Sequence, residues 1–322
     1  MPQVLPPQIA VPFLHVSTHL DLPPVLTYAA ANLWNFTSSG DDFSQLEELK
    51  TLISFTGTES ESWLLLISVA MEARGAGIID FMMEAFDAVE TRDYNIIIDA
   101  LQELSSAIRD VSRLLERMYE RCDPMTFYHR IRPFLAGSKS MAGAGLPMGV
   151  FYDEGDGRGK WRQFGGVSNG QSSLIQFIDL ALGVDHRGNS STKSSPADES
   201  YHEEVRKYMP GPHREFLLYT AGLRSIRELA LLPSKTDEQR RLRIAYTGAT
   251  DALSDFRNKH IKIVTRYIVI PSKKPWSGTR QGLASSSLSR ASGELIGTGG
   301  TNLISFLREA RDKTIDTGRL DK

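Results

Sequence analysis

The chain has 322 residues, 24% of them charged and 41% hydrophobic, with a formal net charge of −2 at pH 7 and a pI near 6.4. This balance gives no basic excess for nucleic acid or anionic lipid, and the length suffices for a substantial core in one large domain or two small ones. The single cysteine, Cys122, excludes an intramolecular disulfide and suits the reducing cytoplasm, while the longest apolar run, Trp63 to Met71, is too short to cross a bilayer.

Apolar residues recur at three- and four-residue steps over most of the chain, which is typical of amphipathic helices. Helices are predicted over residues 42–55, 61–74, 78–90, 94–121, 124–135, 172–182, 202–208, 213–231, 237–270 and 302–313. No series of alternating strands is visible, so the predicted fold class is all-α. We expect residues 1–40 to be a Pro-rich leader and linker, and residues 41–322 to form one helical domain.

Three segments interrupt this helical pattern. Residues 137–169 are rich in glycine and contain a candidate hairpin around Val150 and Trp161. Residues 184–200 are polar and are interpreted as a surface insertion. Residues 271–296 are long for a connection inside a compact domain, which favours either disorder or a lid.

His260 is the most informative residue of the chain. It lies on the same helical face as the apolar residues Phe256 and Ile263, so its imidazole points toward the predicted core. A buried heme would need an axial ligand in such a position, and Arg257, one turn earlier, could reach a propionate. Spacing alone leaves the alternative open that His260 is a packed, hydrogen-bonded core histidine.

Two short motifs favour other functions. Residues 166–170 fit the G-x-S-x-G pattern of a serine hydrolase, with Ser168 as nucleophile, but no parallel sheet is predicted around it. Residues 297–301 are a glycine-rich turn before a helix, which can bind phosphate, but no strand precedes it and the lysine of a P-loop is absent. The turn is therefore interpreted as a flexible hinge followed by an ordinary helix cap.

Several blocks of the chain, in one consistent order, resemble the indoleamine 2,3-dioxygenase family. These blocks are Leu22-Pro23-Pro24-Val25-Leu26-Thr27-Tyr28, Phe127-Tyr128-His129-Arg130-Ile131-Arg132, Gly170-Gln171-Ser172-Ser173, Tyr208-Met209-Pro210-Gly211-Pro212-His213-Arg214, His260-Ile261-Lys262-Ile263-Val264-Thr265-Arg266-Tyr267, and Gly297-Thr298-Gly299-Gly300-Thr301. The resemblance covers nearly the whole chain and implies a large helical heme-binding domain. Family members usually carry a further small helical domain ahead of the Leu-Pro-Pro block, and we expect that domain to be largely absent here.

The resemblance also implies roles for individual residues around a heme b. His260 would be the proximal iron ligand, while Arg257 and Ser168 would contact the cofactor. Ser68 would lie over the distal side of the iron as the catalytic hydroxyl. The substrate-binding residues would be Tyr28, Phe127, Arg132 and Thr301.

By this resemblance, the chain would insert O2 across the indole C2–C3 bond of L-tryptophan and yield N-formylkynurenine, the first step of the kynurenine pathway. We expect a cytoplasmic monomer that binds neither nucleic acid nor membrane. Two alternatives remain beside the hydrolase: an indole-binding heme protein with lost or altered turnover, and a helical interaction protein without enzymatic activity.

Overall fold

The computed structural model describes residues 3–186, 201–275, 297–298 and 303–320. Its α-helices are α1 (Pro7–His19), α2 (Glu59–Ala76), α3 (Ile79–Thr91), α4 (Tyr94–Glu116), α5 (Met118–Arg121), α6 (Pro124–Thr126), α7 (Arg132–Leu135), α8 (Ser173–Leu182), α9 (Tyr201–Arg206), α10 (Gly211–Ala221), α11 (Ile226–Leu231), α12 (Asp237–Val264), α13 (Ile270–Ser272) and α14 (Leu303–Gly318). Its strands are β1 (Val4–Leu5), β2 (Phe36–Ser38), β3 (Leu49–Thr51), β4 (Val150–Gly155) and β5 (Arg158–Arg162). The predicted all-α class is confirmed.

The core is organised around the long helices α4 and α12, which pack against each other. Helix α12 begins with a capping box, in which Thr236 accepts from the backbone of Gln239 and the Gln239 side chain bonds back to Thr236. Helix α4 begins at Asp93, whose carboxylate accepts from two backbone N–H groups. The apolar faces of α2, α3 and α8 complete the same hydrophobic cluster. No helix in the described ranges combines the length and apolarity needed to span a bilayer.

The helix predicted over residues 42–55 is wrong. The segment contains one short 3₁₀ turn, Leu46–Glu48, followed by strand β3, which pairs antiparallel with β2. The carboxylate of Asp42 accepts from the backbone and hydroxyl of Ser44 and from the side chain of Gln45. These local bonds stabilise a turn in competition with helical backbone bonds.

The leader is not irregular, because helix α1 occupies residues 7–19. Pro7 stands at its first position, where a missing N–H costs nothing. Pro12 lies inside the helix and removes one backbone bond there, a position at which sequence rules predict interruption. The buried face of α1, at Ala10 and Ser17, packs against β4.

The single helix predicted over residues 213–231 is divided into α10 and α11, because the backbone turns at Gly222 and Ser225 caps the new helix.

The candidate hairpin is confirmed as β4 and β5, paired antiparallel with Phe151 opposite Trp161. Strand β1 adds a parallel edge to this small sheet.

Candidate active site in the central cleft

Two adjoining cavities lie between helices α2, α12 and α14, with empty volumes of about 1130 and 1030 Å³, open solvent included. Both are walled by the same side chains: Leu64, Ser68, Leu115, Met118, Asn169, Gly170, His260, Phe306 and Leu307. We call the two together the central cleft. Most of its lining is apolar, as is typical of sites for small molecules and cofactors.

His260 projects from α12 into this cleft and lines both cavities. Its neighbours on the helix, Phe256 and Ile263, are buried, while the imidazole keeps some accessible surface because one side faces the cleft. Burial lowers the pKa of His260 to about 4, and the nearby charge of Arg257 contributes to the shift. Among the described residues, none hydrogen-bonds its ring nitrogens. The ring is therefore neutral at neutral pH and presents a lone pair to the cleft.

Arg257 lines the second cavity and is 7% exposed. It forms an ion pair with Asp179 of α8 and donates to Thr314 and to the carbonyl of Ala310, 2.6 Å away, on α14. Burial would raise the pKa of Asp179, but the charge of Arg257 and a bond from His186 hold it below its ordinary value. A guanidinium has five N–H groups. Three of them serve these described partners, so two more can bind an anion.

Tyr28 lines the second cavity, where its hydroxyl donates to Oε1 of Glu72 at 3.1 Å. Ser172 donates to the same oxygen. Burial raises the pKa of Glu72, although the bonds from Ser172 and Tyr28 oppose that shift. The backbone of Tyr28 is held in turn by Gln171, whose side chain also donates to the Gly166 carbonyl at 2.8 Å. This buried network fixes the wall of the second cavity.

Arg132 and Phe127 line the first cavity together. Arg132 is 2% exposed, its guanidinium carbon lies 5.7 Å from the centre of the Tyr128 ring, and burial lowers its pKa. The ring of Phe127 meets Tyr267 edge-on, with centroids 5.9 Å apart. A buried cation beside aromatic rings is thus built into this cavity.

The helical segment that leads into Arg132 is irregular. Arg132 itself has helical backbone angles, and the irregularity is a π-helical turn at Phe127–Ile131 just before it. Pro133 cannot donate to the carbonyl four residues back, so the preceding turn changes its bonding register. A second π-helical turn, Thr265–Val269, places Tyr267 and Ile268 on the same cavity. Such turns are frequent at functional sites.

The serines occupy different parts of the cleft. Ser68 lines both cavities, where its hydroxyl lies 3.5 Å from the Leu64 carbonyl and also hydrogen-bonds the Tyr28 hydroxyl. Ser168 lines the first cavity, where its hydroxyl lies 3.0 Å from that of Tyr201 and accepts from the Gly170 N–H. In the part of the chain that is described, no histidine bonds Ser168 and no strand leads into it, so the hydrolase geometry is not formed. Thr301 lies outside the described residues.

Sequence reasoning missed several residues of this site. Asp179 is a buried acid of the cleft and Glu72 a half-buried one, and Tyr201 and Phe306 form part of its wall. Asp179 carried a usable signal, because it is the one charged residue within the apolar helix α8. Tyr201 and Phe306 carried none, since aromatic residues at helical spacing are equally expected in an ordinary core.

Comparison with known proteins agrees with this architecture. A profile of the indoleamine 2,3-dioxygenase family matches residues 1–317. An indoleamine 2,3-dioxygenase of Aspergillus candidus is 40% identical over 320 residues, covering 97% of this chain and 74% of the relative. The indoleamine 2,3-dioxygenase of Saccharomyces cerevisiae is 38% identical over 335 residues, covering 98% and 73%. A 6-hydroxytryptophan 2,3-dioxygenase of Fusarium equiseti is 38% identical over 318 residues, covering 97% and 75%.

The fold and the cleft define a helical dioxygenase of tryptophan catabolism, an oxidoreductase. The chain belongs to the indoleamine 2,3-dioxygenase family. This family depends on heme and acts on tryptophan-like indoles with O2. The chain spans about three quarters of the length of these relatives.

Proposed function

We propose that the central cleft binds heme b and that His260 is the proximal ligand of its iron. The observation that carries this proposal is the neutral imidazole of His260 in an apolar cleft, without a partner among the described residues. A neutral ring with an accessible lone pair is the form that ligates iron. The lining supplies the apolar surface that a porphyrin needs.

Arg257 is proposed to hold a propionate of that heme. The ion pair with Asp179 and the bonds to α14 fix the guanidinium at the end of the cleft, with two N–H groups left for a carboxylate. Ser168 is proposed to contact the cofactor from the first cavity, where Tyr201 and Gly170 orient its hydroxyl. Both residues bind the cofactor and take no part in the oxygen chemistry.

We place the substrate L-tryptophan in the first cavity. Arg132 is the buried cation there and would pair with the substrate carboxylate, while Phe127 would pack against the indole ring. Tyr28 lines the second cavity, whereas Arg132 lines the first. The proposed contact of Tyr28 with the same substrate would be made where the two cavities adjoin, at Ser68. Thr301, outside the described residues, stays a candidate for covering the ligand.

The bound heme would supply the binding and activation of O2. The chain would position the indole C2–C3 bond beside the iron, and its apolar walls would exclude water from the reacting atoms. The Ser68 hydroxyl lines both cavities and could turn toward a ligand, because its bond to the Leu64 carbonyl is long and its other partner, the Tyr28 hydroxyl, also lies on the cleft. Both oxygen atoms enter the product, N-formylkynurenine, so the overall reaction needs no other reductant or oxidant. The single buried Cys122 suits the cytoplasm as the site of this reaction.

The test combines an absorption spectrum with a product assay. We expect the heme-reconstituted chain to show the Soret band of a histidine-ligated heme and to convert L-tryptophan with O2 to N-formylkynurenine. 6-Hydroxytryptophan should be compared in parallel, since a relative is named for that substrate. A Soret band without product would support an indole-binding protein that has lost turnover, and absence of heme uptake would contradict the proposed function.

A further inference from the structure

Asp179, His186 and His202 converge beside the cleft, with one potential ligand atom from each within 4.8 Å of the others. Asp179 is on α8, His186 follows that helix, and His202 is on α9. Nε2 of His186 lies 2.8 Å from Oδ2 of Asp179. The proposed reaction uses neither histidine, so this cluster needs a separate explanation.

The ligand types are those of a divalent transition metal. Two imidazoles and one carboxylate form a common protein ligand set for Zn²⁺, with the fourth position open to water. Neutral imidazole and ionised carboxylate are the forms that bind such metals. The two carboxylate oxygens of Asp179 have different partners: Oδ1 accepts from Arg257, whereas Oδ2 lies against His186. A cation on Oδ2 therefore leaves the ion pair with Arg257 intact.

A third cavity gives the cluster a route to solvent. His186 and His202 line it, together with Asp185 and Glu203, whose carboxylates offset part of the charge of an entering cation. Arg206 and Arg224 line the same cavity, so its charge is mixed. The three potential ligand residues belong to the wall of this cavity, and water inside it can fill the fourth coordination position.

The two histidine rings would have to reorient to bind one cation together. The imidazoles of His186 and His202 are stacked, with centroids 3.9 Å apart and an interplanar angle of 16°. A ligated metal lies in the plane of each ring, which two parallel rings cannot satisfy together. His202 must rotate to bind, and it borders cavities on both sides, which provides the space.

We propose that Asp179, His186 and His202 form a binding site for one divalent cation of the zinc type, separate from the heme iron. This site joins α8 to α9 next to the ion pair that orients Arg257. Metal occupancy would therefore stiffen the end of the cleft where the propionate is expected. The proposal uses only the described residues and does not depend on His260 ligating heme.

The test is a zinc titration of the full chain, with and without heme, against a chromophoric chelator. We expect one tightly held Zn²⁺ per chain. His186→Ala and His202→Ala should each weaken binding by about tenfold or more, because each removes one ligand. His202→Gln, which keeps most of the side-chain volume, should give the same loss if the alanine variant folds poorly. Anomalous X-ray scattering at the zinc edge should place the ion between the three residues.

Two control variants identify binding elsewhere. His15 and His19 are exposed and four residues apart on α1, so they can hold an adventitious metal at the surface. The double variant His15→Ala/His19→Ala should keep the tight site, as should His260→Ala. The proposal is overturned if the zinc affinity is unchanged in both His186→Ala and His202→Ala, if tight binding is lost in either control, or if the wild type binds no zinc.

Discussion

Arg257 and Asp179 form an ion pair in which the two side chains are only 9% and 6% exposed. It connects α12 to α8, and the further bonds of Arg257 to Thr314 and Ala310 extend the connection to α14. Burying two charged groups costs desolvation free energy, which is offset only when the two groups pair with each other. The geometry of this end of the cleft therefore depends on both partners being present.

Asp179→Ala should destabilise the heme-free protein by about 3–5 kcal/mol, because it leaves the buried guanidinium without its counter-charge. The double variant Asp179→Leu/Arg257→Met should recover most of that loss, since the unpaired charge is gone. Urea unfolding of the three proteins measures both effects. Glu90→Ala, which breaks the exposed pair with Arg224, serves as control and should cost less than about 1 kcal/mol. If Asp179→Ala and Glu90→Ala lost equal free energy of unfolding, the buried pair would stabilise the protein no more than the exposed one.

His260→Ala should abolish the Soret band of the reconstituted protein, because the iron loses its proposed proximal ligand. The far-ultraviolet circular dichroism should stay largely helical, since the imidazole contributes cleft surface more than core packing. His19→Ala, an exposed histidine on α1, is the matched control and should keep full heme uptake. A normal Soret band in His260→Ala would assign the ligand to another residue.

Arg132→Ala should weaken L-tryptophan binding by about 2–4 kcal/mol, the expected cost of losing a desolvated charged hydrogen-bond partner. Indole has no carboxylate, so its binding should change much less. Arg132→Lys keeps the charge but loses the planar guanidinium, so its affinity for L-tryptophan should lie between those of the wild type and Arg132→Ala. The measurement is ligand titration of the heme-loaded variants, followed in the Soret region. Similar losses for tryptophan and indole would show that Arg132 does not bind the carboxylate.

Helical periodicity predicted most of the fold, because the core helices such as α4 and α12 have long, clear apolar faces. The errors fall where local bonds compete with that pattern. At residues 42–55 the carboxylate of Asp42 stabilises a turn, and at Gly222 the chain reverses within an otherwise helical run. Helix α1 was not predicted, because Pro12 is a residue that normally interrupts a helix. In the structure the helix continues through Pro12 and packs against β4.

For the site, the sequence indicated the residues that project from α12 but not their partners. His260 and Arg257 could be placed on one helical face from spacing alone. Asp179 and Glu72 come from other helices, and only the tertiary packing of α8 and α2 brings them to the cleft. The clustering of His186 and His202 likewise depends on how α9 returns to the end of α8, which no local pattern encodes.

The stability of the heme-free protein should fall in acid, partly because of His260. Its pKa is about 4 in the folded chain and about 6.5 when unfolded, so the unfolded state binds the proton more readily in that interval. The stabilisation is complete above about pH 6.5 and is lost progressively toward pH 4, by at most about 3 kcal/mol for this one group. His202 adds a loss of the same sign that continues toward its pKa of about 3. Comparing urea unfolding of the wild type and His260→Ala between pH 4 and 7 cancels every other titrating group. The wild type should lose more stability than the variant as the pH falls, and parallel profiles would show that the His260 imidazole is freely protonated in the folded protein.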